Sequence, residues 1–491
     1  NGNVNTGGDS QGGTNLSGQV NYRTTSFNSF INLGMNERKR ISSGNSLRTM
    51  DFATFSNSLD QVSESNSGGP NLFVKTGFEY FIDPSQSLAI STTISNGNRT
   101  SDGTTSTIDS GPGNRKFIRT TSGNNDRNGY DVNLNYDKKF NNPKQKLTTY
   151  ARFSDGINDG LDEYYNTDNG GVDYVNLDRA ANGQDGTSSG YDFKLDYVHP
   201  FNEGSKLEVG FASKSTDRGD SQIAEIFNEA TNAFVSDREF SNEFEYNETV
   251  HAAYLQYGGS IGFFGINAGG RYETVDMFSE LKTTNEKFKN PYSSFYPSLS
   301  VTFGAPQLLQ IQTSYSKRVN RPRSRMINPF SSRQDNKNIR VGNPFLKPEY
   351  TDSYEINFSR FSRGLSLSLG GYYRHTTDKM QRHKEMRADG VSVATYANIK
   401  DQKTQGIDYS IVGSLGKKLR LMFSGSVFWD EINTDLYGSD YDNTAQGQRL
   451  RFTTMWNINP TTEFSFFMFY MPARDIAIGR MDAMSFSSMS V

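Results

Sequence analysis

The sequence predicts an all-β fold: a large transmembrane antiparallel β-barrel with short turns at one end and long loops at the other. Three observations predict it. Apolar and polar residues alternate with a period of two over many short stretches, which puts successive side chains on opposite faces of a sheet. Brief turns and long polar segments alternate between those stretches, the rhythm of a membrane barrel with short periplasmic turns and long outer loops. And no run approaches the ~20 apolar residues of a membrane helix.

The clearest stretch is Gln307 to Asp378. In QLLQIQTSYSKRVNRP, Leu309, Ile311, Thr313 and Tyr315 share one face, and Gln310, Gln312, Ser314, Ser316 and Arg318 the other. Tyr354, Ile356 and Phe358 oppose Glu355, Asn357 and Ser359; Leu365, Leu367, Leu369 and Tyr373 oppose Ser366, Ser368, Gly370 and Arg374. One face can meet lipid, and the other must meet water. A stack of soluble β-sandwiches fails on that second face, because charged residues at every second position cannot line a dry core without partners.

The same alternation recurs along the chain. Tyr130, Val132, Leu134 and Tyr136 oppose Asp131, Asn133, Asn135 and Asp137, and Tyr191, Phe193, Leu195 and Tyr197 oppose Asp192, Lys194 and Asp196. Leu419, Leu421, Phe423, Val427 and Trp429 oppose Arg420, Ser424, Ser426 and Asp430. Tight turns fall at 83–87, 141–145, 201–205, 304–307, 361–364, 416–418 and 459–462, where Pro, Gly, Asn and Asp supply the backbone angles of hairpins. Long polar segments at 99–126, 154–188, 214–245, 319–350, 376–392 and 431–446 are expected to be outer loops. The pattern gives roughly 18–20 strands. Residues 1–14 are expected to be a disordered or linker-like start, and residues 15–491 the barrel.

Composition agrees. Of 491 residues only 34% are hydrophobic, yet 13% are aromatic (26 Tyr and 35 Phe), and 46 are Gly. Mean hydropathy is −0.70, which a barrel tolerates because every second strand residue avoids lipid. A net charge of −3 gives no case for nucleic acid. There is no Cys, so disulfide and thiolate chemistry are excluded. The start NGNVNTGGDSQGGTN is polar and contains no export signal, so the chain reads as a mature or truncated part of an exported protein.

At Gln307–Arg360, YSKRVNRP, INPF, GNPFLKPEY and TDSYEI together resemble the late-barrel signature of TonB-dependent outer-membrane receptors. The resemblance is strongest to the outer membrane protein beta-barrel branch of Bacteroidota, and RMDAMSF near the end resembles that branch's penultimate region. The motif residues are Asn328, Pro329, Phe330, Gly342, Asn343, Pro344, Leu346, Lys347, Pro348 and Glu349. The resemblance implies a barrel of about 22 strands in the cell outer membrane, hence about 18–22 in the complete protein, closed by a plug domain, with a TonB box and import of a scarce ligand. The chain departs from it in showing neither plug nor TonB box before Leu16, and in ending on SFSSMSV without a terminal aromatic.

Charged clusters are weighed on that frame. Arg318, Arg321, Arg323 and Arg325 crowd the outer mouth, and Glu349 and Glu355 return beside them. Arg318, Arg321, Glu349 and Glu355 are the candidate ligand or plug contacts, through bidentate arginine. The preferred reading is a lumenal ion-pair network bracing the wall. Asp155, Asp159, Asp162, Glu163, Asp168 and Asp173 share one acidic stretch that could hold a structural Ca²⁺. Its spacing misses the EF-hand pattern, with Ile157 at a ligand position, and a solvated acidic loop is preferred. No other cofactor is expected. Gly258–Gly262 matches G-x-S-x-G but lies between two strands, so it reads as a hairpin turn, and no enzyme is expected. His199, His375 and His383 have no metal-binding context. Tyr164, Tyr165 and Tyr174 could stack on sugars or peptides or form part of an outer aromatic belt.

Two functions follow. The first is a receptor-like importer, with outer-membrane lipid and lipopolysaccharide around it and the TonB complex acting through a plug. The second is an anchoring barrel that holds surface lipoproteins or other subunits of a surface complex.

Overall fold

The computed structural model describes residues 1–491 except 52–55, 111–114, 169–179, 229, 239, 306, 331, 336–337, 388–390, 417, 435–440 and 477–478. Strands appear wherever the period-two pattern runs. The first nine are β1 (Gly2–Gly8), β2 (Thr14–Arg23), β3 (Phe27–Asp51), β4 (Ser56–Asp83), β5 (Gln86–Asp109), β6 (Arg115–Lys139), β7 (Lys146–Asp168), β8 (Ala180–Pro200) and β9 (Ser205–Asn228). Next come β10 (Ala233–Ser236), β11 (Asn242–Ile261), β12 (Phe264–Leu281), β13 (Glu286–Lys289), β14 (Tyr292–Ala305) and β15 (Leu309–Asn320). A four-residue helix, α1 (Ser324–Ile327), precedes the short β16 (Ser332–Asp335) and β17 (Asn338–Arg340). The remainder are β18 (Glu349–Ser362), β19 (Leu365–Met386), β20 (Ser392–Leu415), β21 (Leu419–Thr434), β22 (Tyr441–Asn459), β23 (Thr462–Met471), β24 (Arg474–Ile476), β25 (Gly479–Met481) and β26 (Met484–Ser490).

Setting aside the short strands, each wall strand pairs antiparallel with its sequence neighbour, from β1 through β9, β11, β12, β14, β15 and β18 to β23 and β26. The wall is thus an up-and-down meander. Register confirms the faces read from the sequence: Tyr315 lies opposite Tyr354, and Tyr354 opposite Tyr373. Their rings lie side by side, tilted by 38° with centroids 5.0 and 6.4 Å apart, forming part of an aromatic girdle on the lipid face. Leu309, Ile356 and Leu369 stand exposed on that face, as a lipid-facing belt must in the absence of lipid.

Three expectations are corrected. Residues 2–8, read as part of a disordered start, form β1 and pair with β2 over seven positions from Gly2↔Val20 to Gly8↔Thr14. Their Asn, Thr and Gly side chains carry no alternation, but the ladder needs only backbone. The polar segments read as loops are largely continued strands. β3 to β9 run 21 to 28 residues, where about 9–11 suffice to cross a bilayer. Above the lipid both faces are wet, so the period-two signal vanishes while the hydrogen-bond ladder continues. The wall therefore rises well beyond the apolar belt. The turn expected at Gly258–Gly262 is shorter: Gly258–Ile261 belong to β11, Gly262 (φ +60°) and Phe263 join it to β12, and Ser260 therefore lies in a strand and on no nucleophile elbow.

The one compact apolar core among the described residues lies at the outer mouth, on the lumenal side. Phe244 and Tyr246 of β11 and Met277 and Leu281 of β12 pack against Ile327 and Leu346. Those last two belong to the segment 321–348, which leaves β15 and crosses the mouth before β18 begins at Glu349.

Candidate functional site

The segment 321–348 is a strap tied to the inner wall, and it contains the signature residues apart from Glu349, the first of β18. N-P-F occurs twice in it, at Asn328–Phe330 and Asn343–Phe345. In both, the Asn side-chain oxygen accepts a bond from the backbone N–H of the Phe two residues on, at 3.1 and 3.0 Å. Each is an Asx turn, which lets a chain reverse without a helix or ladder. The two turns dock on each other: Gly342 N–H donates to the Asn328 carbonyl (2.9 Å) and Asn343 N–H to the Met326 carbonyl (2.7 Å). A Cβ on Gly342 would stand 2.3 Å from the Asn328 oxygen, so only glycine permits this approach.

Strap and wall are joined by polar contacts as well as by the core. The Asn343 amide donates to the Tyr396 carbonyl (3.0 Å), and the Asn290 amide to the Pro344 carbonyl (3.0 Å). Asn398 accepts from the Lys347 N–H (2.8 Å) and donates to its carbonyl (2.9 Å). β17 adds a short parallel pairing to the start of β20, Asn338↔Ser392 to Arg340↔Ala394. Burial of Ile327 and Leu346, 1% and 2% exposed, contributes roughly 1.5–3 kcal/mol each to holding the strap.

Of the four candidate contact residues, the structure gives three to the brace. Arg321 donates through Nε to the Tyr292 hydroxyl (2.7 Å) and pairs with Glu273, which Arg271 also contacts at 2.6 Å. Glu349 is buried. It accepts from the Asn320 amide (2.7 Å), the Lys379 ammonium (3.3 Å) and the Met380 N–H (2.9 Å). Glu355 faces the lumen, as strand parity predicts, and pairs with Arg374 at 3.2 Å. Arg318 shares that face but is exposed, in register with Thr351, four residues along β15 from the Ser314 that opposes Glu355. At about 3.3 Å per residue it stands roughly 13 Å from that rung. Lys379, Glu273, Tyr292 and Asn398 are partners that sequence reading missed. The repeated N-P-F was the signal that could have revealed the two Asx turns, though not that they dock on each other.

The acidic stretch does not converge. It lies in β7, where Asp155, Asp159 and Glu163 point to the outer face with Ile157 and Leu161, and Asp162 points to the lumen opposite Gly123. Asp173 and Tyr174 lie outside the described residues. Among the described residues no group of three His, Asp or Glu side chains is placed to hold a metal ion. Tyr165 projects outward, while Tyr164 lies under the Arg119 guanidinium, 4.3 Å from it.

Between the strap and the upper wall of β7 to β9 lies a cavity of about 530 Å³. Asp185 and Asp220 line one side, and Arg325, Arg340 and Arg382 the other, with the paired turns at its rim. Burial pushes the Asp220 carboxyl above the usual aspartate range, with Arg218 opposing the shift. Burial likewise pushes the Tyr246 phenol up, and it stays neutral, donating to Glu248 at 3.1 Å. This size and mixed polar lining suit a small, charged solute.

Residues 138–491 match the family described as the outer membrane protein beta-barrel family. The chain belongs to that family. It is therefore a transmembrane barrel of the outer membrane. No curated protein matches the sequence. The fold is similar to the FrpB iron transporter from Neisseria meningitidis (TM-score 0.57, 14% identity, 99% of this chain and 73% of that one). It is also similar to the copper transporter OprC (TM-score 0.66, 11% identity, 99% and 71%). A third likeness is to the ferripyoverdine receptor of the outer membrane of Pseudomonas aeruginosa (TM-score 0.60, 11% identity, 99% and 65%). At these identities the shared feature is the barrel fold. The strap that bears the signature lies inside the matched segment.

Proposed function

We propose that this barrel is the wall of an energised importer that captures a scarce solute at its outer mouth. The observation that carries the reading is the mouth itself. A tall polar wall rises above the lipid belt, a fixed strap narrows the opening, and a cavity of small-molecule size lies between them. The fold it shares with an iron transporter, a copper transporter and a ferripyoverdine receptor supports the same reading. On this reading the lumen is sealed by a plug domain, and the TonB complex moves that plug. Lipid and lipopolysaccharide surround the belt, and the signature residues brace the mouth.

The test is uptake by whole cells, with and without the gene and with and without a protonophore. Radiolabelled ferric citrate, a ferric hydroxamate and copper are the probes. The reading expects at least one probe whose uptake is lost on deletion and on de-energising the cells. Uptake of all three unchanged by deletion, with surface proteins shed instead, would overturn it in favour of an anchoring barrel that holds surface lipoproteins.

A further inference from the structure

We infer that the lumenal wall of β3 to β6 contains a binding site for a multiply charged anion, of the carboxylate or phosphate class. Four arginines, Arg38, Arg40, Arg99 and Arg127, line one cavity of about 680 Å³. Register sets them on one face. Arg38 lies opposite Gly69 and Arg40 opposite Ser67; Ser67 lies opposite Ser101, Arg99 opposite Asn125 and Arg127 opposite Gly97. That face is the lumenal one, since Ile31, Leu33 and Met35 of β3 and Ile90 and Ile94 of β5 occupy the other.

Their partners are neutral. Arg99 donates to the Ser67 hydroxyl (3.1 Å), and Arg127 to the side-chain oxygens of Asn125 (3.0 Å) and Asn158 (2.8 Å). Among the described residues none of the four has a carboxylate within ion-pair distance, whereas three arginines elsewhere in the lumen do. Arg152 meets Asp131 at 2.8 Å, Arg271 meets Glu273 and Arg374 meets Glu355. The acids of these strands at the same height, Glu37, Asp102 and Asp126, fall on the outer face by parity, and the lumenal Asp162 of β7, opposite Gly123, is within ion-pair distance of none of the four. Four guanidiniums lining one cavity without an ion-pair partner repel one another. A ligand that supplies several anionic oxygens removes that repulsion and accepts bidentate bonds.

The wall is shaped to admit one. Gly69 (φ +144°) runs so close to the Asn98 carbonyl that a Cβ would lie 2.2 Å from it, which leaves the cavity floor bare beneath the guanidiniums. The site also lies at the right height. On the outer face of β3 the apolar run ends at Met35 and gives way to Glu37 and Lys39, so Arg38 and Arg40 sit at the outer edge of the belt, reachable from the mouth. As the capture step of import the site rests on the function proposed above, but anion binding can be measured without transport.

The complete protein, purified in detergent from native membranes, is titrated calorimetrically with citrate and with inorganic pyrophosphate, using glucose as the neutral control. Saturable binding of one anion is expected, weakening as salt rises. Arg99→Gln and Arg127→Gln should each weaken it at least about tenfold, and the four-fold Arg→Gln variant should abolish it. Arg99→Lys, which keeps the charge but loses the fork, should fall between. Arg420→Gln removes a lumenal charge elsewhere and should leave binding unchanged. Retention of the compact band on unheated gels shows that each variant is folded. Absence of binding to either anion would overturn the site, as would binding that survives the four-fold variant or falls equally with Arg420→Gln. Binding retained while probe uptake shows no dependence on the gene would refute the import reading alone.

Discussion

At the scale of single residues, the motif residues of the mouth are tied to one another and to the wall. Glu349 is the clearest case: it is buried, with three donors on one carboxylate. Glu349→Ala should destabilise the folded barrel by about 3 kcal/mol, because Lys379 and the Met380 N–H lose their acceptor. Guanidinium unfolding in detergent, read by tryptophan fluorescence, would measure it. Arg318→Ala should cost less than ~0.5 kcal/mol, since Arg318 is exposed and meets no carboxylate among the described residues. Equal effects of the two changes would sink the distinction drawn between them. Gly342→Ala forces a Cβ onto the Asn328 carbonyl and should cost about 1–3 kcal/mol through displacement of the strap. Strand parity alone put Arg318 and Glu355 in the lumen. Parity could not choose Arg374 over Arg318 as Glu355's partner, because distance along the strand depends on register with a neighbour.

Elements show the same division between what local pattern encodes and what pairing decides. The turn between β4 and β5 was legible from DPSQS, and the structure shows why. Asp83 accepts bonds from the Ser85 hydroxyl (2.6 Å), the Ser85 N–H (2.7 Å) and the Gln86 amide (2.6 Å). The Ser85 hydroxyl and N–H bonds hold the Asp83 carboxyl below its usual value of 3.8. A depressed folded value means this stabilisation is present above the unfolded value and lost as pH falls through the folded one. Asp83→Asn should therefore flatten the acid side of the stability profile without changing the alkaline side. Parallel loss in both proteins below pH 3.8 would count against it. The strap, by contrast, was legible as a motif and illegible as a shape. Nothing in INPF or GNPFLKPEY announces that the two Asx turns meet, because their contact spans the strap and depends on Phe244, Met277 and Leu281 beneath it.

At the scale of the whole molecule, the sequence reading recovered the barrel, its lipid face and its turns, and misjudged its height. Alternation is imposed only where one face meets hydrocarbon. Above that level Asn, Ser, Thr, Asp and Gly serve on both faces, and strand looks like loop. The acidic stretch was misread for this reason: in β7 its carboxylates are divided between two faces. Intact cells treated with trypsin should therefore resist cutting at Arg99, Arg119 and Arg127, which lie inside paired strands. Rapid cleavage there would return these segments to loops. The unmatched arginines of β3 to β6 escaped notice because each looks ordinary in its own strand, and only the ladder gathers them.

The strap is a fixed part of the mouth, held by the paired turns and the core beneath them. Hydrogen exchange of the complete protein, read by mass spectrometry on peptides covering 321–348, tests this most directly. A fixed strap predicts slow exchange at Gly342, Asn343 and Leu346, comparable to the amides of β15 and β18. Exchange of those amides as fast as an open chain would contradict the claim and make the strap a moving lid.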